Sequence, residues 1–318
     1  RKVKANNIEY NAQFKYHNNY ISTSKYNFLT FLPLNLFEQF TRLANVYFLF
    51  LLILQLIPQI SSLNWMTTVI PLVFVLLISA LKDSVDDIQR HRSDSMVNNR
   101  LSWVLRGGQL VEAKWQTVVV GDIIKMENDQ FVAADLLLLS ASEPNSLCYI
   151  ETAELDGETN LKVKQALVET AEMEDNISLL SQFDGLVTCE PPNNILSRFE
   201  GRLEYNGQVY SLDNDKILLR GCVLRNTEWC FGMVIFAGRD TKLMMNSGKT
   251  KFKRTHIDRL MNVLIIGVSV LLYFMFQCSL TKLKNEFVNE MLLEKCYDDT
   301  LPNEIRLNHL HLIVFIIT

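Results

Sequence analysis

The residues with the clearest chemical potential lie in one short stretch, 147–164, with the sequence LCYIETAELDGETNLKVK. An apolar strand runs into Asp156 and Gly157, a pair that favours a turn because glycine accepts the backbone conformation of an exposed tip. The turn presents the carboxylate of Glu158 beside the hydroxyl of Thr159. A carboxylate in such a position could orient or deprotonate a water molecule for attack on another group. Taken alone, the tetrapeptide is far more often an ordinary turn than a catalytic loop, so its context decides between the two interpretations.

The cysteines and histidines predict neither a metal site nor a disulfide framework. The cysteines, at 148, 189, 222, 230, 278 and 296, form no CxxC pair and no metal-ligand spacing with the five histidines. Buried or free thiols in a reducing compartment fit this pattern better. The chain has 31 lysines and arginines against 35 acidic residues, which excludes a strongly basic nucleic-acid-binding protein. We therefore expect no metal, no bound cofactor and no nucleic acid in this chain.

The DGET tetrapeptide lies in a region whose short apolar runs, separated by turns, are typical of β-strands. Gly107-Gly108 and Asn206-Gly207 each separate two such runs, as hairpin turns do. The acidic stretch 166–182 could be helical. The pattern predicts a mostly β domain of roughly 160 residues, which is enough to build its own core. Further strands are predicted at 120–125, 135–140, 146–152, 217–220, 222–226 and 230–236.

Three apolar blocks without a charged side chain, Leu43–Ile57, Trp65–Leu81 and Leu260–Leu280, surround the β region in the sequence. Each approaches the roughly 17–25 residues that cross a bilayer. A buried helix in a soluble protein is the alternative, but three uncharged runs are hard to bury in a chain of 318 residues. The predicted fold is therefore a membrane protein with three transmembrane α-helices and an inserted mostly β domain.

Basic residues flank the outer ends of this arrangement and predict its orientation. They precede the first block, follow the second and precede the third, whereas the short turn Pro58–Asn64 contains neither lysine nor arginine. By the positive-inside tendency, the N-terminus and residues 82–259 are expected in the cytosol and the turn outside. Residues 82–98 are predicted to continue the second span as a stalk helix. The chain starts at Arg1 rather than methionine, so we expect upstream sequence to be missing.

In this context the chain resembles the N-terminal portion of a P-type ATPase, within the type IV phospholipid-flippase branch, from about Tyr16 to Phe276. The flippase branch carries DGET where cation pumps typically carry TGES. One departure is Ala133-Ala134-Asp135, where the family usually has Pro-Ala-Asp, and the missing proline could loosen a turn. The matching segments are YNFLTFLPLNLFEQFTRLANVYFL before and within the first span, VGDIIKMENDQFVAAD at 120–135, ELDGETNLK at 154–162, ILLRGCVLRNT at 217–227 and GRDTKLMMNSGKTKFKRTHIDRLMN at 238–262.

The resemblance implies that the β region is an actuator domain, whose loop reaches the phosphorylated aspartate of a separate domain. Glu158 would be the catalytic carboxylate that positions water to hydrolyse the aspartyl phosphate, while Asp156, Gly157 and Thr159 would shape its loop. The predicted organisation is a cytosolic N-terminal segment (1–40), a transmembrane hairpin (41–81), an actuator domain with its stalk helix (82–256), a third transmembrane helix (257–280) and a divergent tail with a short apolar stub (281–318).

The family's phosphorylation motif DKTGT, its GDG motif and its PISL stretch do not occur in the sequence. We therefore expect no ATPase activity from residues 1–318 alone, and we expect ATP and Mg²⁺ to act in a complete enzyme. On this interpretation the chain is a fragment, a truncated product or one piece of a larger assembly. Its expected partners are phospholipid, the membrane, the missing phosphorylation and nucleotide-binding domains of the same pump and a flippase accessory glycoprotein subunit.

The expected function is that of the N-terminal part of an ATP-driven flippase, which moves aminophospholipid or a related lipid from the outer to the cytosolic leaflet. The expected location is the plasma membrane or a Golgi or endosomal membrane, with the N-terminus and the actuator domain in the cytosol. The alternative hypothesis is a truncated, non-catalytic membrane protein that binds partners. It rests on the missing phosphorylation domain and on the unrelated tail after residue 276.

A row of polar residues on the first span suggests a lipid path. At 100° per residue, Asn45, Gln55 and Gln59 fall within roughly 80° of one another, and Glu38 lies near the same line if the helix begins that early. A helix from Glu38 to Gln59 would rise about 31 Å, close to the hydrocarbon thickness. The row could form a wall of the headgroup groove or serve helix–helix hydrogen bonding. The resemblance adds that Gln55-Leu56 matches a pair tied to headgroup choice.

Overall fold

The computed structural model of the chain describes residues 1–56, 64–247 and 256–296, which form two compact units. The first unit consists of Arg1–Leu34 and the described part of Ala80–Lys251. The second consists of Asn35–Ser79 and the helix that begins at His256. The helices are α1 (Ile8–Ala12), α2 (Phe31–Gln39), α3 (Leu43–Gln55), α4 (Met66–Asn98), α5 (Ala153–Asp156), α6 (Val168–Ala171), α7 (Ile177–Gln182), α8 (Lys242–Asn246) and α9 (His256–Cys296).

The strands of the described residues form three antiparallel sheets, all within the first unit. The strands are β1 (Lys2–Lys4), β2 (Leu101–Arg106), β3 (Gln109–Lys114), β4 (Ile123–Glu127), β5 (Asp135–Ala141), β6 (Leu147–Glu151), β7 (Leu161–Gln165), β8 (Leu186–Cys189), β9 (Gly201–Tyr205), β10 (Gln208–Leu212), β11 (Ile217–Leu218), β12 (Val223–Arg225) and β13 (Trp229–Phe236). The orders are β1-β8-β9-β10, β11-β5-β13-β4-β2-β3 and β12-β6-β7.

Both predicted hairpins are confirmed, and their turns have the expected chemistry. In the β2–β3 hairpin, Arg106 pairs with Gln109 around two glycines with φ of +59° and +78°. In the β9–β10 hairpin, Tyr205 pairs with Gln208 around Asn206 and Gly207, which also have positive φ. Two successive residues with positive φ are the requirement of a two-residue turn that matches the twist of the strands.

The core of the first unit surrounds β5, in which Leu136, Leu137, Leu138 and Leu139 are all completely buried. A continuous apolar run of this length is typical of a strand that is covered on both faces. β13 pairs with β5 on one side and with β4 on the other, and its residues from Cys230 to Phe236 are also buried. The predicted strands at 135–140 and 230–236 are therefore confirmed, as is the mostly β character of the domain.

Other parts of the first unit differ from the expectation. The acidic stretch 166–182 contains two short helices, α6 and α7, rather than a single one. β1, β7 and β8 were not predicted, because Lys2–Lys4 and Leu161–Gln165 mix lysines with apolar residues. Since β1 pairs with β8, the compact unit includes residues that the sequence analysis assigned to a separate N-terminal segment.

A segment without helix or strand, residues 21–26, is bound along the C-terminal half of α4 by side chains of that helix; we call it the N-terminal strap. Asp94 accepts hydrogen bonds from the backbone nitrogens of residues 23 and 24 at 2.8 and 3.1 Å. Asn98 binds both the nitrogen (2.9 Å) and the oxygen (2.7 Å) of Ile21. Asp87 accepts from the nitrogen of Lys25 at 2.9 Å. These α4 residues share one helix face because they are spaced by seven and four positions, so the predicted stalk helix also holds the strap.

Two helices of the described residues, Met66–Asn98 and His256–Asn285, are long and apolar enough to cross a membrane. α2 and α3 could provide a third crossing only as a bent pair, because their axes differ by 91°. The condition for Glu38 to lie in line with Asn45, a helix that begins before residue 43, is not met, since Glu38 lies in α2 and Asn45 in α3. Gln59 and most of the predicted turn Pro58–Asn64 lie outside the described residues, as do residues 297–318 of the predicted tail.

Candidate functional site

The DGET loop, residues 156–159, connects β6 to β7 through the single helical turn α5. β6 and β7 pair with Glu151 opposite Leu161, so the hairpin carries the loop at one end of the three-stranded sheet. Asp156 closes the loop on itself. Its Oδ1 accepts hydrogen bonds from the hydroxyl of Thr152 at 2.9 Å and from the backbone nitrogen of Glu158 at 3.0 Å. The loop is therefore a preformed turn.

Gly157 occupies the one position of this loop that needs a glycine for its backbone conformation. Its φ is +76°, in the left-handed region that residues with a Cβ atom rarely adopt. Its backbone nitrogen donates to the carbonyl of Ala153 at 3.0 Å and ends the helical turn α5. No other atom lies within 4 Å of the place where a Cβ would stand. The requirement for glycine is therefore one of backbone conformation rather than of space.

Glu158 and Thr159 follow at the exposed tip, as the sequence predicts for the carboxylate and hydroxyl. The side chain of Glu158 is 60% exposed, and its Oε2 lies 3.1 Å from Nζ of Lys162. The same ammonium group donates a hydrogen bond to Oδ2 of Asp156. Lys162 therefore bridges the two carboxylates of the loop. The sequence analysis did not assign this residue a role, although a lysine four positions after a glutamate was a visible signal.

The bridge changes the protonation of the loop. The hydrogen bond from Lys162 lowers the pKa of Asp156 below its usual range. Burial acts in the opposite direction, and the Glu158 amide and the Thr152 hydroxyl add to the lowering. In return, Asp156 and then Glu158 raise the pKa of Lys162. Asp156 therefore remains an acceptor at neutral pH and holds the backbone of Glu158, while the carboxylate of Glu158 stays open to solvent.

The strand next to β6 carries an ion-pair network beside the loop. Arg225 of β12 donates from Nε to Oε2 of Glu151 at 2.9 Å and also bonds Asp129. Arg225 lies opposite Tyr149 in the β12–β6 ladder, and Val223 lies opposite Glu151. The segment 217–227 therefore supports the sheet from which the DGET loop projects.

Four buried polar residues from separate segments meet elsewhere in the first unit; we call Asn19, Asp135, Arg220 and Lys242 the polar hub. Asp135 is completely buried and accepts from the backbone nitrogens of Arg220 and Lys242, both at 2.8 Å. Nη1 of Arg220 donates to Oδ1 of Asn19 at 2.6 Å. Nζ of Lys242 bonds three oxygens of residues 193–198 at 2.6–2.8 Å. The hub joins the N-terminal segment to three of the matching segments of the sequence.

Burial controls the titration of the hub. It raises the pKa of Asp135 to about 6, although the two backbone donors and the charges of Arg220 and Lys242 act in the opposite direction. Burial likewise lowers the pKa of Arg220 to about 10, while the charge of Asp135 raises it. No hub residue was among the predicted site residues. The signal in the sequence was the presence of charged side chains inside apolar runs, as in VAAD and LLRGC.

The departure at Ala133-Ala134 leads into this hub. Both alanines are buried, with 1% and 0% exposure, and the carbonyl of Ala133 accepts from Nδ2 of Asn19 at 3.1 Å. Asn19 also donates to the carbonyl of Trp115 at 2.8 Å, so one amide joins three segments of the chain. The segment without the expected proline is therefore packed and hydrogen-bonded.

The residues predicted for a lipid path do not form a single line in the described part of the chain. Asn45 is 6% exposed, and its Nδ2 donates to the carbonyl of Gln39 at 2.7 Å, which is a helix–helix hydrogen bond of the kind given as the alternative. Gln55 has a buried Oε1 that has no hydrogen-bond partner among the described residues. Leu56 is 61% exposed, and Gln59 lies outside the described residues.

Within the described residues, no group of three histidine, cysteine or acidic side chains is arranged to hold a metal ion. The thiols of Cys148, Cys189, Cys222 and Cys230 are free and buried, and that of Cys278 is free and exposed. Burial raises the pKa of the Cys222 thiol to about 12, so that group is a poor nucleophile. The chemistry that the described residues can support is therefore concentrated in the carboxylates of the DGET loop.

Two protein families match the chain. Residues 3–69 match the family described as phospholipid-translocating ATPase N-terminal. This range contains the N-terminal strap and the helices α2 and α3. Residues 97–198 match the P-type ATPase actuator domain, which covers β2 to β8 and therefore the DGET loop.

Curated relatives match over a longer range. The chain is 66% identical over 268 residues to human phospholipid-transporting ATPase ID, which covers 84% of this chain and 22% of that protein. It is 60% identical over 272 residues to mouse phospholipid-transporting ATPase FetA, which covers 86% of this chain and 23% of that protein. It is 54% identical over 283 residues to human phospholipid-transporting ATPase IC, which covers 85% of this chain and 23% of that protein. The chain therefore spans somewhat more than a fifth of the length of these relatives.

Proposed function

Because the chain belongs to the phospholipid-transporting branch of the P-type ATPases, we propose that it forms the N-terminal part of an ATP-driven phospholipid flippase. In the complete pump it moves aminophospholipid or a related lipid from the outer to the cytosolic leaflet. Residues 82–256, together with the N-terminal segment that packs on them, act as the actuator. The observation that carries this proposal is the open carboxylate of Glu158 on a preformed, left-handed glycine turn.

We assign Glu158 to the hydrolysis of an aspartyl phosphate on the phosphorylation domain of the same pump. A water molecule attacks phosphorus while Glu158 takes up one of its protons, the bond between phosphorus and the aspartate oxygen breaks, and the aspartate leaves as a carboxylate. General-base assistance of this kind contributes about 10²–10⁴ in rate. Asp156 and Gly157 hold the backbone before Glu158, and Thr159 shapes the tip beyond it.

Lys162 acts as a positioning residue for this carboxylate. Its ammonium group lies 3.1 Å from Glu158 and is also bonded to Asp156, so it keeps the catalytic side chain beside the loop when no phosphorylated partner is present. The Glu158–Lys162 pair is exposed, and exposed ion pairs are weak. Glu158 can therefore leave Lys162 at little cost and turn to a water molecule on the phosphorylation domain.

ATP and Mg²⁺ belong to the complete enzyme in this proposal. Their ligands are assigned to the phosphorylation and nucleotide-binding domains, because the described residues of this chain offer no group that could hold a metal. Bound there, ATP would supply the phosphoryl group that forms the aspartyl phosphate, and Mg²⁺ would neutralise charge on the phosphates. This chain's own contribution is limited to the removal of that group and to the first membrane helices.

For the lipid path, we assign a role to the end of α3 with Gln55, Leu56 and the following Gln59. The unpartnered Oε1 of Gln55 supports this assignment, because a buried acceptor without a donor is costly and could accept from a headgroup. Asn45, which was predicted for the same path, contributes by fixing the turn between α2 and α3. Its direct contact with lipid remains a prediction.

The orientation and partners follow from the same proposal. The basic residues on either side of the apolar helices support a cytosolic N-terminus and a cytosolic actuator domain. The complete pump would work in the plasma membrane or a Golgi or endosomal membrane, together with a flippase accessory glycoprotein subunit.

The test is the substitution Glu158→Gln in the complete pump, followed by measurement of phosphoenzyme decay after formation from radiolabelled ATP. We expect decay to slow by about 10²–10⁴ and phosphoenzyme to accumulate, because glutamine cannot accept the proton of water. Glu154→Gln is a matched control, since Glu154 is an exposed glutamate of the adjoining turn α5 and should leave decay unchanged. Normal decay in the Glu158 variant would refute the assigned role.

The separate question of what residues 1–318 do alone has its own measurement. The purified chain in vesicles should show neither ATP hydrolysis nor lipid transport, because the phosphorylation motif is not in its sequence. Transport without a second polypeptide would contradict the proposal that phosphorylation and nucleotide binding belong to other domains of the pump. Stable binding of partners without transport would favour the non-catalytic alternative.

A further inference from the structure

Thr152 lies where strand β6 passes into the helical turn α5, and it is almost completely buried. It directly follows Glu151, the last residue of β6, and it occupies the cap position at the start of α5. Its exposed fraction is only 5%. The carbonyl of Thr152 accepts hydrogen bonds from the backbone nitrogens of Leu155 and Asp156 at 2.8 and 3.1 Å. Thr152 therefore anchors the backbone of the turn that leads into the DGET loop.

The hydroxyl of Thr152 is not used in the way that is usual for a threonine at the start of a helix. Such a hydroxyl normally accepts a hydrogen bond from a backbone nitrogen of the first turn. Among the described residues it makes no capping bond of this kind. Its proton is instead directed at the carboxylate of Asp156, whose Oδ1 and Oδ2 lie 2.9 and 3.1 Å away. Helix capping therefore does not account for this side chain.

Asp156 transmits the contact to the residue that carries the proposed general base. The Oδ1 atom that accepts from the hydroxyl of Thr152 also accepts from the backbone nitrogen of Glu158 at 3.0 Å. One carboxylate oxygen therefore joins the end of β6 to the backbone of Glu158. A donor at position 152 and an ionised acceptor at position 156 are both needed for this connection.

Two side chains of the described residues donate to this carboxylate, and Thr152 is the better shielded from water. The side chain of Lys162 is 39% exposed, so solvent competes for its bond. Thr152 is also held from behind, because the preceding Glu151 lies opposite Leu161 in one ladder and opposite Val223 in the other. The three-stranded sheet therefore fixes the position of the hydroxyl.

We propose that Thr152 is a positioning residue for dephosphorylation: its hydroxyl fixes the carboxylate of Asp156, which in turn fixes the backbone of Glu158. This inference rests on the proposed function of Glu158 as the general base. A displacement of about 1 Å in a catalytic arrangement can cost a factor of about 10² in rate. Loss of the hydroxyl should therefore slow the reaction, but less than the loss of Glu158 itself.

Thr152→Val and Thr152→Ser in the complete pump separate the hydroxyl from the rest of the side chain. Valine keeps the shape of threonine but cannot donate, whereas serine keeps the donor. We expect Thr152→Val to slow phosphoenzyme decay by about 10- to 100-fold and Thr152→Ser to decay at close to the native rate. The KM for ATP in phosphoenzyme formation should not change in either variant, because ATP binding is assigned to another domain.

Thr170→Val is the matched control. Thr170 is completely buried, and its hydroxyl donates to the carbonyl of Leu167 at 3.1 Å within α6, outside the DGET loop. This variant also loses a buried hydroxyl and should leave phosphoenzyme decay unchanged. Native decay in Thr152→Val, equal slowing in Thr152→Ser or equal slowing in Thr170→Val would each overturn the proposal.

A double-mutant cycle tests whether the hydroxyl acts through Asp156. In an Asp156→Ala background, Thr152→Val should cause little further slowing, since the contact that it removes is already lost. Effects that multiply would show that Thr152 acts independently and would overturn the proposal. If valine lowers the yield of folded pump, Thr152→Ala repeats the cycle.

Glu158→Gln, measured in parallel, distinguishes the failure of this inference from the failure of the proposed function. Normal decay in Glu158→Gln would refute the assigned role of Glu158, and the role of Thr152 with it. Slow decay in Glu158→Gln together with native decay in Thr152→Val would refute only the role of Thr152.

Discussion

The substitution Asp135→Asn tests whether the polar hub organises the actuator domain. At pH 7, above the raised pKa of about 6, the native carboxylate is ionised and accepts two backbone hydrogen bonds. Asparagine has nearly the same shape but only one acceptor oxygen. Its amide group would therefore face the backbone nitrogen of either Arg220 or Lys242, donor against donor, in a site with no solvent exposure.

The expected cost follows from these contacts. One buried backbone donor left without an acceptor costs about 1–3 kcal/mol. The loss of the carboxylate charge adds to this cost, because the guanidinium of Arg220 is 1% exposed and the charge of Asp135 supports its ionised form. We expect the free energy of unfolding to fall by about 2–4 kcal/mol in total. This raises the opening equilibrium of the core strands by roughly 30- to 700-fold, since 1.4 kcal/mol is a factor of ten.

Hydrogen exchange of the complete chain in lipid nanodiscs measures this equilibrium through the amides of β5 and β13. Asp129→Asn is the matched control, because it removes a carboxylate that pairs with Arg225 on the exposed surface, where the side chain of Asp129 is 62% accessible. The control should leave the protection of β5 and β13 unchanged. Unaltered protection in Asp135→Asn, or an equal loss in both variants, would refute the role of the hub.

Two further predictions concern glycines and pH. Gly157→Ala should cost only about 1–2 kcal/mol of left-handed backbone strain, since the added Cβ meets no neighbour. Gly238→Ala should prevent folding, because its Cβ would stand 2.0 Å from the carbonyl oxygen of Asn18. The yield of folded protein in nanodiscs compares the two variants, and a lower yield for Gly157→Ala than for Gly238→Ala would contradict the geometry. The pKa of Asp156 is lower in the folded chain than its value near 3.8 in the unfolded chain. The stability that its ionised carboxylate contributes is therefore fully present above pH 3.8 and is lost as the pH falls through the folded pKa. Lys162→Met should therefore move the loss of exchange protection at the Glu158 amide to higher pH, and an unchanged midpoint would exclude the bridge.

The sequence alone predicted an element correctly where a local backbone requirement can be met by only a few residue types. The hairpin turns at Gly107-Gly108 and Asn206-Gly207 were predictable because two positive φ values demand such residues. The strands at 135–140 and 230–236 were predictable because short apolar runs bounded by turn signals are typical of strands that are covered on both faces. β1 was not predictable, since three residues with two lysines carry no strand signal and owe their conformation to pairing with β8.

In the candidate site, too, the local DGET loop could be predicted from the sequence and the long-range polar hub could not. The order Asp156, Gly157, Glu158 is contiguous, so local turn chemistry predicted its shape. Bonds within the hub join residues up to 201 positions apart, as in the bond from Arg220 to Asn19, and no local pattern predicts such a contact. The bend between α2 and α3 was not predicted, because the hydrogen bond from the Asn45 side chain to the carbonyl of Gln39 links two helices whose relative direction no local pattern encodes.

The contrast between hub and loop bears on how the actuator would work. The bonds that Asp135 and Asn19 accept within the hub are buried, and loss of either acceptor leaves a donor that water cannot reach, so this part of the domain resists deformation. The bond between Glu158 and Lys162 is exposed on both sides, and pairs of that kind contribute only about 0.2–1 kcal/mol. A rigid body with one weakly held carboxylate at its tip can be carried to another domain as a unit and exchange only that contact on arrival. If the loop instead had to unfold to deliver Glu158, the bonds of Asp156 to Thr152 and to the Glu158 amide would have to break first, and the structure provides no compensation for them among the described residues.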